Sequence, residues 1–228
     1  MEYNFNEGEV ILIDKPLEWT SFDVVKKLRN RLKIKKIGHA GTLDPLATGL
    51  LILCTGKFTK KINEYQDMPK EYTGTMLLGK TTPSVDLETA FDSETDISHL
   101  NEEIIEAALA DFRGSIQQIP PQYSAVKIDG ERVYKKARKG EDVVINPREV
   151  KIYDFEITDY KLPEISFKVS CSKGTYIRSL VRDLGDSLKT GACLIALRRT
   201  KIGNFDVESA DELNDFISKH QSIKTSKI

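Results

Sequence analysis

The sequence predicts an α+β fold, and three patterns favour that class. Leu50 to Cys54 is an unbroken apolar run, which is typical of a buried strand. Val150 to Tyr160 and Ile165 to Cys171 are two long strand candidates that follow each other directly, so they predict an antiparallel hairpin. Apolar residues recur at helical spacing after Thr20 and after Asn101. The expected result is a partly antiparallel sheet with separate helices.

A short strand over Val10 to Asp14 is expected first, followed by a helix that begins after Thr20. Thr20 and Asp23 have the spacing of a capping box, which satisfies backbone donors at a helix start. Lysines and arginines lie between the apolar residues of this helix, so one face is predicted to be basic. The opposite face is predicted to lie in the core and to carry Phe22, Val25, Leu28 and Leu32.

Two further helices are expected, one after residue 100 and one near the C-terminus. Asn101 is a candidate N-cap, and Gly114 follows the end of that helix. Its apolar side is predicted to hold Ile104, Ile105, Ala108, Leu109 and Phe112. Ser209 is predicted to cap the last helix through Asp215 to Ile217, and residues 221–228 are expected to form a loose tail.

The composition is that of a folded globular protein. Of the 228 residues, 39% are hydrophobic and 30% are charged, which argues against disorder. No apolar stretch approaches the roughly 20 residues that span a bilayer, and the polar N-terminus is unlike a secretory signal. We therefore expect a cytoplasmic protein with no membrane contact.

The three cysteines are predicted to be buried free thiols. Cys54, Cys171 and Cys193 are odd in number, widely spaced and set in apolar or alternating runs. This spacing fits neither a disulfide framework nor a metal site, and the histidines at 39, 99 and 220 are too scattered to add one. No metal is expected.

The net charge of −1 hides a segregated distribution. Residues 26–36 carry seven lysines and arginines and no acid, whereas Asp86 to Asp111 holds nine acids and no lysine or arginine. A basic stripe is suited to nucleic-acid phosphates, although a solvated helix face would have the same composition. The acidic, turn-rich part from Asp86 to Ser98 is expected to be a surface loop.

One acid, Asp44, lies in the segment H-A-G-T-L-D-P-L-A-T-G-L-L-I-L-C-T-G, which runs from His39 to Gly56. Pro45 restricts the backbone before it, and the glycines around it permit close approaches, so the loop is suited to holding one carboxylate in one pose. An ordinary turn would also explain Asp-Pro beside glycine. Residues 38–49 resemble the signature of the bacterial tRNA pseudouridine-55 synthase (TruB) family, written G-H-x-G-T-L-D-P-x-A-T-G.

Four more segments resemble the same family. A K-x-Y segment at Tyr72 is followed by L-G-x-x-T-x-x-x-D. Gln118 to Gly130 is similar to P-P-x-x-S-A-x-K-x-x-G, and Leu197 to Arg199 matches L-R-R. Cys171 to Gly185 is similar to C-S-x-G-T-Y-I-R-x-L-x-x-D-L-G. The resemblance therefore extends over roughly residues 10–200.

The resemblance implies a pseudouridine synthase fold, with a central mixed, mostly antiparallel sheet flanked by helices and two lobes around an RNA-binding cleft. It implies a catalytic domain over residues 1–220 with an RNA-gripping insertion at about 118–148, in a short form without the C-terminal PUA module. The implied reaction isomerises uridine 55 in the T-arm of tRNA to pseudouridine after the base is flipped out. No atoms are added or removed, so no cofactor is expected. The expected partner is the T-arm stem-loop, bound by a monomer.

The resemblance also implies roles for single residues. Asp44 is the catalytic group, either as a nucleophile on the base or ribose or as a base that removes a ribose proton. Arg178 is its partner and keeps it charged, and Tyr72 stacks on the flipped uracil. The substrate-binding set is His39, Tyr72, Tyr176, Leu197, Lys15 and Ile177. The residues implied at the RNA backbone are Lys26, Lys27, Arg29, Lys33, Lys127, Arg132, Lys135, Lys136 and Arg138.

Simpler explanations exist for several of these residues. Tyr72 could pack on a sheet face with its hydroxyl in water, and Arg178 could be a surface arginine near a helix start. Residues 118–148 could form an exposed hairpin with a solvated helix. Two other function classes share these features: a non-catalytic RNA-binding or RNA-folding protein, and a guide-RNA-dependent pseudouridine synthase of the archaeal and eukaryotic type. Leu46 to Gly49 favours the stand-alone bacterial type.

Overall fold

The structure is a computed structural model that describes residues 3–124, 127–128, 131–133, 136 and 143–221. The chain divides into two compact units. Unit 1 contains the described residues up to Tyr72 and from Leu197 onward, and unit 2 contains those from Thr73 to Ala196. Two strands, Lys70–Leu78 and Ala192–Ile202, contribute residues to both units.

Strand β3 (Ala47–Thr55) is the centre of unit 1 and is buried along almost its whole length. It pairs antiparallel with β1 (Val10–Lys15), where Val10 lies opposite Cys54, and antiparallel with β2 (Ile37–His39). It pairs parallel with β12 (Ala192–Ile202), where Leu197 lies opposite Ala47. The strands of this unit are β1 (Val10–Lys15), β2 (Ile37–His39), β3 (Ala47–Thr55), β12 (Ala192–Ile202, from Leu197), β13 (Phe205–Asp206) and β14 (Asp211–Glu212).

Both faces of β3 are covered, which explains its continuous apolar sequence. Leu51 and Leu53 pack with helices α1 (Ser21–Leu32) and α5 (Leu213–Gln221) on one face, while Leu50 and Ile52 belong to a second cluster with Ile202. Successive strand residues point to opposite faces, so this alternation places every second leucine or isoleucine in a different core. The described helices are α1 (Ser21–Leu32), α2 (Ile62–Asp67), α3 (Glu102–Ala110), α4 (Ile177–Ser187) and α5 (Leu213–Gln221).

Helix α1 starts as predicted, but its buried face is rotated from the expected one. The Thr20 side chain accepts a hydrogen bond from the Asp23 amide at 3.0 Å, and the Asp23 carboxylate accepts from the Thr20 amide at 3.1 Å, which is a complete capping box. The buried residues are Ser21, Val24, Val25, Leu28 and Leu32. This is the i, i+3, i+4, i+7, i+11 stripe of a helix. The prediction that Phe22 is buried is wrong, because position 22 lies off that stripe.

Two other helix predictions also need correction. In α3 the residues in the core are Ile105 and Leu109, one turn apart, whereas Ile104 is exposed. The last helix begins at Leu213, since Val207–Ser209 is a 3-10 turn and Asp211–Glu212 pairs parallel with β1 as strand β14. Ser209 is therefore not its cap.

Unit 2 is built on the predicted hairpin. Strands β10 and β11 pair antiparallel, with Phe155 opposite Val169, and β7 pairs antiparallel with the start of β10. The order of strands here is β12, β4, β11, β10, β7. The strands of this unit are β4 (Lys70–Leu78), β5 (Lys80–Thr81), β6 (Ser93–Glu94), β7 (Gly114–Gln118), β8 (Lys127–Ile128), β9 (Glu131–Arg132), β10 (Arg148–Lys161) and β11 (Glu164–Cys171).

The predicted α+β class with a mixed, mostly antiparallel sheet is confirmed. The three cysteines are buried free thiols, as predicted. The segment from Asp86 to Ser98 is largely exposed, but Asp86 itself is buried, so the surface-loop prediction is wrong at that residue. Among the described residues, no helix is long and apolar enough to cross a bilayer, and no three potential His, Cys, Asp or Glu metal ligands are grouped.

Candidate active site

Asp44 lies in the loop between β2 and β3 and is half-buried. Its backbone carbonyl accepts a hydrogen bond from the Ala47 amide at 3.1 Å, which closes a tight turn. The residue before it is tied to the start of α1, because the Ser21 hydroxyl accepts from the Leu43 amide at 2.9 Å and donates to the Leu43 carbonyl at 3.3 Å. The backbone that carries the carboxylate is therefore held on both sides.

Lys15 is fully buried at the end of β1 and ties the Asp44 loop to the segment that precedes α1. Its Nζ atom donates to the carbonyls of Pro16 at 2.9 Å, Trp19 at 2.6 Å and Pro45 at 3.3 Å. Burial lowers the pKa of Lys15 to about 8, while the negative charge of Asp44 acts in the opposite direction. Lys15 thus supplies a buried positive charge next to the loop, and its state depends on Asp44.

We expect replacement of Lys15 to change how stability depends on pH. The unfolded chain holds the Lys15 proton up to its ordinary pKa of 10.5, and the folded state holds it only up to about 8. The folded state therefore binds fewer protons between these values, so the Lys15 contribution to the free energy of unfolding is lowest below pH 8 and rises toward pH 10.5.

Urea unfolding of the wild type and of Lys15→Met at pH 7.5 and pH 9.5 measures this contribution. From pH 7.5 to pH 9.5, the free energy of unfolding of the wild type should rise by roughly 1–2 kcal/mol relative to that of Lys15→Met. The lost hydrogen bonds shift both values equally and do not affect the comparison. If the two proteins differ in free energy of unfolding by the same amount at both pH values, the lowered pKa of Lys15 is contradicted.

Arg199 is buried and connects the two ends of the Asp44 loop. Its Nε atom donates to the Leu50 carbonyl at 2.8 Å, and its Nη2 atom donates to the Gly41 carbonyl at 3.3 Å. The backbones of Arg199 and Gly49 also pair directly in the parallel ladder. A Cβ atom at Gly49 would lie 2.3 Å from the Arg199 carbonyl oxygen, and Gly49 has a φ of +103°, so only glycine suits this position.

The two arginines of the L-R-R segment have different roles. Arg198 forms a bidentate pair with Asp14, with distances of 3.0 and 2.6 Å from Nη1 and Nη2 to the two carboxylate oxygens. This pair raises the pKa of Arg198 above its ordinary value. Leu197 is half-buried and pairs with Ala47, the residue three positions after Asp44. The part of β12 that carries L-R-R is thus paired with β3 just after Asp44.

His39 and Tyr72 also lie in unit 1. His39 is half-buried opposite Leu53, and burial lowers its pKa, with a smaller opposite effect from a hydrogen bond to the Gly41 backbone. Tyr72 is buried in β4, and the adjacent Glu71 carboxylate accepts a hydrogen bond from Thr200 at 2.9 Å. Of the predicted catalytic and substrate-binding residues, unit 1 therefore contains five, namely Asp44, Lys15, His39, Tyr72 and Leu197.

Arg178 lies in unit 2 and is only 4% exposed, so the surface-arginine explanation is wrong. Its Nη1 atom donates to the Ser84 carbonyl at 3.0 Å, and its Nη2 atom donates to the Tyr123 carbonyl at 2.9 Å. Its Nε atom lies 3.5 Å from the carboxylate of Asp86, which is also buried. Arg178 is thus a fixed buried cation in α4, and its pairing with Asp44 stays a prediction.

Tyr176 and Ile177 lie at the start of α4. The side chain of Gln118 pairs with the Tyr176 backbone at two points, donating to its carbonyl at 3.1 Å and accepting from its amide at 2.8 Å. The Arg148 guanidinium lies 4.6 Å from the centre of the Tyr176 ring. Ile177 is buried. The backbone and ring of Tyr176 are therefore held from separate strands.

The predicted RNA-backbone residues differ in exposure. Lys26, Arg29 and Lys33 are exposed on or just after α1, whereas Lys27 is half-buried and donates to Asn214 at 2.7 Å. Lys136 is half-buried, and Lys127 and Arg132 lie in the short strands β8 and β9. Lys135 and Arg138 lie outside the described residues.

Three buried polar residues near the predicted site residues were not predicted from the sequence. They are Ser21, which holds Leu43, Asp86, which pairs with Arg178, and Gln118, which holds Tyr176. The aspartate of the L-G-x-x-T-x-x-x-D pattern was the available signal for Asp86. The other two look like an ordinary helix start and an ordinary strand residue, because their partners are distant in the sequence.

Comparison with known proteins connects these residues to one family. Residues 29–177 match the family model described as TruB family pseudouridylate synthase (N terminal domain), and residues 178–226 match that of the tRNA pseudouridylate synthase B C-terminal domain. The chain is 55% identical over 217 residues to a Flavobacterium johnsoniae protein and 52% identical over 219 residues to one from Phocaeicola vulgatus. Both are named tRNA pseudouridine synthase B, and the alignments cover 92% and 93% of this chain and 95% and 93% of theirs.

Two solved structures resemble the chain over 98% of its length. The crystal structure of a Cbf5-Nop10-Gar1 complex matches with a TM-score of 0.76 and 31% identity. A structure of an H/ACA RNP bound to a substrate RNA containing 2'-deoxyuridine matches with a TM-score of 0.73 and 28% identity. This chain spans 57% and 56% of those two chains. Together with the family models and the relatives, which bear out the predicted resemblance, these matches show that the chain belongs to the TruB family of pseudouridylate synthases.

Proposed function

We propose that this chain isomerises uridine 55 in the T-arm of tRNA to pseudouridine, acting alone as a cytoplasmic monomer without a cofactor. One observation carries the proposal: a half-exposed carboxylate, Asp44, on a loop held by Ser21, Lys15 and Arg199. The curated relatives named tRNA pseudouridine synthase B align over more than nine-tenths of both chains, which supports tRNA as the substrate.

The reaction needs one reactive group and a closed pocket rather than an external reagent. The bond between uracil N1 and the ribose C1′ breaks, the base turns, and C5 bonds to C1′. The proton on C5 is lost and N1 gains one, so atoms and electrons balance. The uridine has to leave its stack first, which costs a few kcal/mol. The binding energy of the RNA has to supply this.

Asp44 acts in this scheme as the nucleophile on the base or ribose, or as the base that removes a ribose proton. We propose Arg178 as the cation that keeps Asp44 ionised in the complex. Tyr72 stacks on the extruded uracil, and Leu197, Tyr176 and Ile177 line its pocket. His39 completes the substrate-binding set, whereas Lys15 acts through the Asp44 loop, because its three donors bond backbone carbonyls. The basic residues of α1 and of residues 118–148 contact phosphates.

An assay of the purified chain on a bare T-arm stem-loop RNA distinguishes three functions: a stand-alone pseudouridine synthase, a non-catalytic RNA-binding protein and a guide-dependent enzyme. We expect a pseudouridine at position 55, mapped by chemical modification and primer extension, and no product from an RNA with cytidine there. Tight binding without product would favour a non-catalytic RNA-binding protein. Product only after addition of guide RNA and partner proteins would favour a guide-dependent enzyme.

A further inference from the structure

Helix α1 has an exposed face with an aromatic residue, Phe22, whose exposure is not explained by contacts of the basic residues with phosphates. Phe22, Lys26 and Arg29 follow one another at i, i+4 and i+7, which places them on one side of the helix, and Lys33 follows as the C-cap residue. All four are exposed. We propose that this α1 face binds unpaired nucleotides of the substrate RNA next to the target uridine, with Phe22 as a stacking platform for one base. The inference rests on the proposed function and deepens it.

Phe22 is available for such a contact. It is 59% exposed, because the buried stripe of α1 runs through Ser21, Val24 and Val25 instead. Burying an exposed phenylalanine stabilises a complex, and an aromatic ring accepts any base, since every base has a π face. An exposed aromatic side chain next to a row of cations is the combination that single-stranded nucleic acid binds.

The position of Phe22 relative to Asp44 specifies which part of the RNA it contacts. The preceding residue, Ser21, exchanges two hydrogen bonds with Leu43, the residue before Asp44. The Glu18 amide donates to the Pro45 carbonyl at 2.9 Å, so the segment before α1 is also tied to the loop. The start of α1 and the Asp44 loop are thus one fixed part of unit 1. We therefore expect the RNA strand that delivers a nucleotide to Asp44 to pass this end of α1, which carries Phe22.

The charge of this face suits a polyanion, and under the proposed function that polyanion is the substrate RNA. No acid occurs from Val24 to Lys36. The one acid in the first turn, Asp23, is engaged in the capping box, where its carboxylate accepts from the Thr20 amide and hydroxyl. Within the described part of the chain, Lys26 and Lys33 form no ion pair, so their charges remain available for phosphates.

The face has the length needed for more than one contact. An α-helix rises about 1.5 Å per residue, so Phe22 and Arg29 lie about 10 Å apart along the axis, and Lys33 extends the row by about 6 Å. Arg29 donates to the Ile37 carbonyl at 3.3 Å, which orients its guanidinium without neutralising it. A stacked base at Phe22 would therefore be followed by three cations along the same strand of RNA.

Four variants test the platform, measured by fluorescence anisotropy with a T-arm stem-loop RNA. Phe22→Ala should bind about tenfold more weakly, since one base-aromatic stack is lost. Phe22→Trp should restore the affinity, while Phe22→Leu should not, because leucine keeps apolar area without a π face. Phe91→Ala is the matched control, since Phe91 is 49% exposed but lies in the acidic segment, and it should bind like the wild type.

Two further readouts separate stacking from a general structural role. Phe22→Ala should raise KM and leave kcat at saturating RNA unchanged, and it should not alter the slope of log affinity against log salt. Lys26→Gln should lower the magnitude of that slope by about 0.7, because one phosphate contact is lost. Affinity of Phe22→Ala within twofold of the wild type, or of Phe22→Leu equal to the wild type, would overturn the inference.

The stacking inference and the proposed function can fail independently of each other. If the wild type forms pseudouridine and Phe22→Ala binds equally well, only the stacking platform is wrong. If the wild type makes no pseudouridine but its RNA binding depends on Phe22, the surface is supported and the proposed activity is contradicted.

Discussion

We expect Asp44→Asn to abolish pseudouridine formation while the fold and the RNA affinity stay almost unchanged. Asparagine has the same shape as aspartate, and the turn depends on the backbone bond from the Ala47 amide to the Asp44 carbonyl, which the substitution keeps. It removes the anionic oxygen on which both proposed routes depend. The rate should fall by at least about 10⁴-fold, the scale seen when a residue that acts as the reactive group is removed.

Single-turnover assays on the T-arm stem-loop measure this loss, and anisotropy measures the affinity, which should stay within about threefold. Glu18→Gln is the matched control, since it neutralises an exposed acid whose own amide bonds the same loop at Pro45. It should keep full activity. Substantial turnover by Asp44→Asn would refute the assignment of the catalytic group.

The same variant has a linked effect on Lys15. The charge of Asp44 raises the pKa of Lys15 against the effect of burial, so its removal should lower that pKa further. The pH at which the Lys15 contribution to stability begins to rise should move downward. This shift is a readout of the Asp44 charge that does not depend on catalysis.

The second large effect is expected from Arg178→Met. Methionine fills part of the space but leaves the buried Asp86 carboxylate without its cation, and it removes the bonds to the carbonyls of Ser84 and Tyr123. Loss of one partner of a buried ion pair costs about 3–5 kcal/mol. The free energy of unfolding, measured in urea, should fall by that amount. Activity at a temperature where the variant is folded should also fall, because Arg178 is proposed to hold Asp44 ionised.

A double-mutant cycle separates the pair from the rest of the site. Arg178→Met combined with Asp86→Asn should be more stable than the sum of the two single effects predicts, since no charge is left unpaired. Arg182→Met is the control on the same helix, because Arg182 is partly exposed and bonds its neighbour Asp183 and the Ile119 carbonyl. It should lower the free energy of unfolding by about 1–2 kcal/mol, since one exposed ion pair and one backbone hydrogen bond are lost. A loss for Arg178→Met no larger than that for Arg182→Met would show that the buried pair does not stabilise unit 2.

The predictions from sequence succeeded where the signal is local. The capping box at Thr20, the two-faced burial of β3 and the β10–β11 hairpin follow from spacing within a few residues. They failed where two local patterns compete. Phe22 and Ile104 are apolar residues next to the buried stripe of their helices. A pattern that includes such a neighbour still has helical spacing, so the sequence does not distinguish it from the buried stripe.

Ser209 illustrates the same limit at a helix end. Ser209 has the side chain of a good N-cap, but Asp211–Glu212 pair with β1 as β14, so the helix begins later, at Leu213. The competing interaction is a strand partner about 200 residues earlier in the chain. The preference of serine for helix N-caps carries no information about that strand partner.

By itself, the sequence determined the fold class, the family and the acid on which the chemistry is proposed to depend, because these are encoded in short segments. Only the tertiary structure decided which charged side chains are buried and what they hold. Lys15 bonds Pro45 from 30 residues away, Arg178 bonds Ser84 from 94 and Arg199 bonds Leu50 from 149. The physical reason is that burying a charge is favourable only when partners surround it, and the fold brings those partners together from distant parts of the chain.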